Sequence, residues 1–206
     1  LKPDTITIST TQCNRDFESR TVFEAPYTTV VNGNESYVYL VTNEEEANTL
    51  KTLNEFEETL PSIGLRMKTG LTVDFRNRDA LRDSAEENAV PLFYSQHIQD
   101  GKVVFPVGKE HEYIVTEQSG LRQQNTNYLF VKRFTAKEER RRLQCGVYSP
   151  SDFEEYEYIG TQNKINFVDK TDGGEMDAQT TYGIYALLNS TLFDMYYRIL
   201  NGSTQV

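Results

Sequence analysis

The residues with the clearest chemical potential are basic and clustered. Lys132-Arg133-Phe134 leads into Thr135-Ala136-Lys137-Glu138, and Arg140, Arg141 and Arg142 follow. Thr135 with Glu138 three residues on has the spacing of a capping box, so a helix is predicted to open there and run through Leu143. Basic side chains beside the free amides of a helix start can clamp phosphates. The same residues also suit a solvated face in which Glu138 and Arg142 pair at i,i+4. Residue types alone leave these two readings level. A second candidate is Gly64-Leu65-Arg66-Met67-Lys68-Thr69-Gly70, followed by Asp74-Phe75-Arg76. Gly70 would let the backbone approach a partner closely. The order of glycines is not that of a nucleotide-binding P-loop, and a plain turn between strands accounts for the stretch as well.

Other constellations favour structural roles. His97 and His111, the only histidines, have no partners at metal-ligand spacing. Asp100-Gly101-Lys102, with Asp83, Glu86 and Glu87 upstream, has the residue types of a metal-dependent nuclease. An Asp-Gly pair flanked by Ile98 and Val103 is also hairpin chemistry, which the pattern favours. The 206 residues contain no G-x-S-x-G, no Asn/Asp-Pro-Pro-Tyr/Phe tetrapeptide and no glycine loop of the S-adenosylmethionine-binding kind. No catalytic residue and no metal ligand is therefore expected in them. Cys13 and Cys145 fit no metal spacing and read as free thiols of a reducing, cytoplasmic compartment. No apolar run is long enough for a membrane span, and Leu1 reads as an internal boundary of a longer polypeptide.

Net charge is −10, which by itself argues against nucleic acid. Its distribution argues otherwise. Residues 61–82 carry a net +3 and residues 121–145 a net +5, two basic islands in an acidic background. A phosphate backbone meets the local field, not the total.

The elements that would hold these islands alternate without a βαβ rhythm. Strands are predicted at Thr5–Thr10, Tyr37–Val41, Leu71–Phe75, Val90–His97, Val103–Pro106, Tyr128–Phe134, Tyr156–Ile159 and Lys164–Val168. Asn43, followed by Glu44, Glu45 and Glu46, predicts a capped helix ending before Pro61. Asn77 is expected to cap a short helix. A long C-terminal helix is predicted over 177–200, with Tyr185, Leu188, Leu192, Tyr196 and Ile199 on one stripe and Gly202 as its stop. The expected class is α+β: a mixed or antiparallel sheet, a few helices and that long C-terminal helix.

Taken in order, the motifs resemble a family. Gly64–Gly70 with Asp74-Phe75-Arg76, Pro91-Leu92-Phe93-Tyr94 with His97 and Phe105-Pro106, and Val131–Phe134 through Arg142 each match a stretch of it. So do Gly160-Thr161-Gln162-Asn163-Lys164-Ile165-Asn166 and Leu187-Leu188-Asn189-Ser190-Thr191-Leu192 through Asn201–Val206. The family is the C-terminal half of bacterial type II adenine methyltransferases of restriction–modification systems, the TaqI-like specificity-domain group. Lys164 departs from it, standing where the family usually has His. The resemblance implies one domain over 1–206 that recognises double-stranded DNA. It implies no cofactor here, with S-adenosylmethionine and catalysis in an upstream domain of the same polypeptide. It implies Lys68, Arg76, Lys132, Arg133, Arg140 and Arg141 as phosphate or base contacts. Thr69, Asn163, Lys164 and Gln205 are its candidate polar readers of bases.

Overall fold

The computed structural model describes residues 3–11, 15–33 and 36–200; Cys13, Gly202 and Gln205 lie outside them. The class is α+β, as expected. The described residues form two compact units. One comprises those up to Glu57 together with the helix Thr191–Leu200, the other Glu58–Ser190.

The smaller unit starts with an antiparallel hairpin, Thr5–Thr10 against Thr21–Pro26, in register from Thr5↔Pro26 to Thr10↔Thr21. Alternation puts Ile8 and Ala25 on its inner face, where they join Val30, Val41 and Leu50. The Asn43 cap forms as expected: its Oδ1 accepts from the amide of Glu46 at 2.9 Å. Glu46 reaches back one residue further than in a capping box and accepts from the amide of Thr42 at 2.6 Å. The helix ends at Leu53, not near Pro61. Asn54 caps it, which frees Phe56 to meet Phe193 edge-on at 6.2 Å.

The larger unit stacks two sheets. The six-stranded sheet has the order Leu65–Thr69, Ile165–Lys170, Tyr128–Lys132, Cys145–Tyr148, Lys102–Val103, Ile98–Gln99. It is antiparallel except where Val147 meets Lys102. The five-stranded sheet has the order Gln123–Gln124, Tyr158–Thr161, Ala89–Phe93, Tyr113–Val115, Leu81–Arg82, with one parallel pairing at Gly160↔Leu92. Side chains alternate across the first sheet. Tyr128, Phe130, Tyr148 and Phe167 face Phe93 and Ile159 of the second sheet in an aromatic core closed by Phe153. The intervening residues Leu129, Val131, Cys145 and Val168 pack beneath Met176 and Ile184. Burial pushes the Cys145 thiol up to about 12, so it stays protonated and inert.

Several predicted elements differ. The strand expected at Leu71–Phe75 lies earlier, at Leu65–Thr69, and Asp74–Arg76 is a 3-10 turn. Asn77 carries its amide to the carbonyl of Val73 at 2.8 Å and caps no α-helix. No helix forms over 135–143. The residues that looked like a helix start form a clasp, described below. The long C-terminal helix is two, Ala178–Leu188 and Thr191–Leu200. Asn189 and Ser190 end the first by bonding their amides to Tyr185 and Leu187, as residues that favour caps over helix interiors do.

His97 is fully buried and stacked on Phe105 at 5.2 Å. Its Nδ1 accepts from the Tyr94 amide at 2.8 Å, so Nε2 carries the proton and donates to Glu112 at 2.7 Å. Glu112 also accepts from the amides of Val107 and Gly108. This network pins the 105–112 loop to the end of Ala89–Phe93 and is the structural role expected of His97. Burial lowers the imidazole pKa below its usual value, outweighing the opposing pull of Glu112. As pH falls, the unfolded chain therefore takes up this proton first. The contribution of His97 to stability is present above about pH 6.5 and is lost as pH falls toward the depressed native value. Urea midpoints should drop between pH 7.5 and 5.5. His97→Gln should be less stable at pH 7.5 and depend less on pH over that range; an unchanged slope would contradict the assignment.

Candidate functional site

Three strand ends converge at one end of the six-stranded sheet. Tyr128–Lys132 finishes beside the start of Ile165–Lys170, with Lys132 opposite Ile165. Leu65–Thr69 finishes on the other side of that strand, with Thr69 opposite Asn166. Between them lies the turn 162–164, which carries the chain from the five-stranded sheet to the six-stranded one.

Gln162, 1% exposed, organises this end. Its amide donates to Phe93 O at 2.9 Å. Its Nε2 donates to Asp74 Oδ1 at 2.6 Å and Asn163 Oδ1 at 3.0 Å. Its Oε1 accepts from the Lys164 amide at 2.8 Å. The segment after Thr69 lies against the same turn, with Thr72 N on Thr161 O and Asn163 N on Thr72 O, both 2.8 Å. Gly70 permits this approach, since a Cβ there would stand 2.2 Å from the Gln162 carbonyl oxygen.

Around that turn the structure gathers Thr69, Lys132, Arg133, Asn163 and Lys164. Arg133 donates through its backbone amide to Lys164 O at 3.0 Å and through its guanidinium to Asn163 O at 3.1 Å. The Thr69 hydroxyl donates to Asn166 Oδ1 at 3.2 Å. Lys164 is exposed. Lys132 Nζ donates to Gln144 Oε1 at 2.9 Å, and Gln144 passes a hydrogen bond on to Glu139. That carboxylate is held below its usual pKa by the Ala136 amide and by Gln144, so a negative charge stands two bonds from Lys132. Arg76 adjoins the group through its neighbour Asp74, with its guanidinium 5.5 Å from the exposed Phe75 ring.

Three other sequence candidates have other partners. The Lys68 ammonium turns along the edge strand to Asp169 at 3.5 Å, a carboxylate already held by Arg66 through two bonds. Arg141 donates to the carbonyls of Asn189 and Ser190, just past the end of the helix Ala178–Leu188. Arg140 and Arg141 line a cleft of about 530 Å³ with Asp100, Gly101, Gln144 and Tyr185. Arg142 is buried; its Nε donates to Thr135 Oγ1 at 3.1 Å while that hydroxyl donates to Arg142 O at 3.0 Å. The three arginines thus have different destinations, which one helical face cannot supply, and the expected Glu138–Arg142 helix pair is replaced by this clasp. Gln205 lies outside the described residues.

The nuclease-like residues are built into turns. Asp100 and Gly101 both take positive φ, 48° and 83°, and make the expected hairpin turn. Asp83 pairs with His111 and Glu86 with Arg82. Among the described residues no group of three potential ligands is arranged for a metal ion, and no helix is long and apolar enough to cross a membrane. Sequence reasoning missed the organising role of Gln162. A glutamine between Thr161 and Asn163 carries no local pattern, and only its bonding partners reveal its place.

No family model matches the chain. It is 35% identical over 207 residues to the type II methyltransferase M.PstI of Providencia stuartii, an alignment covering 98% of the chain and 40% of that protein. It is 32% identical over 189 residues to the type II methyltransferase M.BsuBI of Bacillus subtilis, covering 89% of the chain and 37% of that protein. The chain thus spans about two fifths of the length of these relatives.

The close approach at Gly70 yields a prediction. Gly70→Ala should force the 69–72 and 161–163 segments apart, at a cost on the order of 1–3 kcal/mol. Gly183→Ala, in the helix Ala178–Leu188 with open space around it, should instead stabilise by about 0.5–1 kcal/mol. Denaturant midpoints of the two variants check both signs.

Proposed function

We propose that this chain is the DNA target-recognition part of a type II adenine-N6 methyltransferase of a restriction–modification system. The observation that carries this reading is the pattern of coverage. Nearly all of the chain aligns with only 40% of a methyltransferase, while its 206 residues lack the Asn/Asp-Pro-Pro-Tyr/Phe tetrapeptide and a cofactor glycine loop. On this reading, S-adenosylmethionine binding and methyl transfer belong to the remainder of the polypeptide, in the bacterial cytoplasm. This part holds the duplex.

The geometry supports the sheet end around Gln162 as the face toward DNA. Arg133, Lys132 and Lys164 supply positive charge there, and Asn163 and Thr69 supply short polar groups on a backbone fixed by main-chain bonds. Cationic groups on phosphates set orientation and overall affinity; polar groups on base edges carry sequence preference. Arg141 has a structural task at the end of a helix, so its substitution acts on stability first.

Two outcomes test the reading. The isolated chain, incubated with duplex DNA and isotopically labelled S-adenosylmethionine, should transfer no methyl group. In the full-length parent enzyme, alanine at Lys132, Arg133 and Lys164 together should weaken binding to all duplexes about equally. The slope of log affinity against log salt should fall by roughly 0.9 for each phosphate that no longer meets a cation. Asn163→Ala should instead cost about 1–3 kcal/mol against the preferred sequence alone. Arg141→Ala should lower the melting temperature and leave the salt slope near its starting value. If the triple substitution leaves affinity and salt slope unchanged, this face does not meet DNA.

A further inference from the structure

Two large aromatic rings stand in the open beside the Gln162 turn. Phe75 is 67% exposed and Phe134 45%. Exposure of a phenylalanine forgoes roughly 1.5–3 kcal/mol of burial, and this unit buries Phe93, Phe130 and Phe167 almost completely. Both rings belong to well-anchored backbone. Phe75 lies in the 3-10 turn Asp74–Arg76, tied by Asp74 to Gln162 and by Asn77 to Val73 O. Phe134 directly follows Arg133, whose amide and guanidinium are both bonded to the 163–164 backbone. Each ring also has a guanidinium near its centre, Arg76 at 5.5 Å and Arg133 at 5.3 Å.

An exposed aromatic paired with an arginine on a cationic surface suits one ligand chemistry well. The flat faces of a nucleobase stack on the ring, and the arginine adds cation–π attraction and meets the phosphate. A fully stacked duplex presents base edges in its grooves, so its base faces are reached only where a step has opened. We infer that Phe75 and Phe134 are stacking platforms for nucleobases, and that this face prefers nucleic acid containing an unstacked base to intact duplex. The inference rests on the nucleic-acid reading above and adds to it an interaction with base faces.

The chain has no tryptophan, so Phe75→Trp and Phe134→Trp each install a single reporter in the intact chain. Labelled oligonucleotides of mixed sequence serve as probes at low salt: a single strand, a fully paired duplex, and the same duplex with one abasic site opposite a base. Anisotropy of the label reports binding, and tryptophan emission reports stacking. The expected result is quenching by the single strand and the abasic duplex, with both bound more tightly than the paired duplex. Phe75→Ala and Phe134→Ala should weaken binding to the abasic duplex about 5- to 100-fold each, with melting curves that show both variants fully folded at the assay temperature. Phe→Tyr at either position should retain binding. Binding of all three probes with no quenching and full affinity in the alanine variants overturns the stacking inference and leaves the DNA reading standing. Absence of binding to any probe, in this chain and in the full-length parent, overturns both.

Discussion

The larger unit depends on one short crossing. Three residues, Gln162 to Lys164, carry the chain from Tyr158–Thr161 in the five-stranded sheet to Ile165–Lys170 in the six-stranded one. A link that short fixes the spacing of the two layers and leaves backbone groups between them that must be bonded internally. Gln162 meets that demand with its side chain and main chain together. The aromatic core, the packing of the 69–72 segment and the position of Arg133 all take their reference from this crossing. A buried polar network of this kind is costly when incomplete, which ties the stability of the unit to the geometry of the candidate face.

The class, the hairpin at Asp100-Gly101, the cap at Asn43 and the strands Thr5–Thr10, Tyr128–Lys132 and Ile165–Lys170 were legible because each rests on a local rule. What was not legible depended on distant partners. The 135–143 stretch has local helix signals, but Arg141 and Arg142 are drawn to Ser190 and Thr135 by bonds that the helix pattern does not foresee. Cys145-Gly146-Val147-Tyr148 contains a glycine and no turn signal before it, yet it lies inside the sheet, paired with Tyr128–Lys132 on one side and Lys102–Val103 on the other. For the candidate site, residue type located the basic islands, and only the folded chain showed Lys132, Arg133 and Lys164 gathered at the 162–164 turn while Lys68 and Arg141 are committed to Asp169 and to the carbonyls of Asn189 and Ser190.

Charge shows the same separation between a sum and an arrangement. The chain is acidic overall, but several acids are committed locally: Asp169 to Arg66 and Lys68, Glu117 to Arg122, Asp194 to Arg198. Partly exposed pairs of this kind add little stability. Their larger effect is on the field, since a carboxylate already matched by a cation projects less of it toward a distant anion.

The backbone of the 162–164 turn has one further consequence, which concerns variation among related chains. Its course is set by main-chain bonds from Thr72 and Arg133 and by the buried Gln162 side chain, not by the outward-facing Lys164 side chain. Replacement of such an outward residue alters what the surface presents and leaves the crossing as it was. Gln162 and Gly70, by contrast, have no slack. A lineage can therefore vary what this surface presents by drifting at the rim while its keystone stays constant.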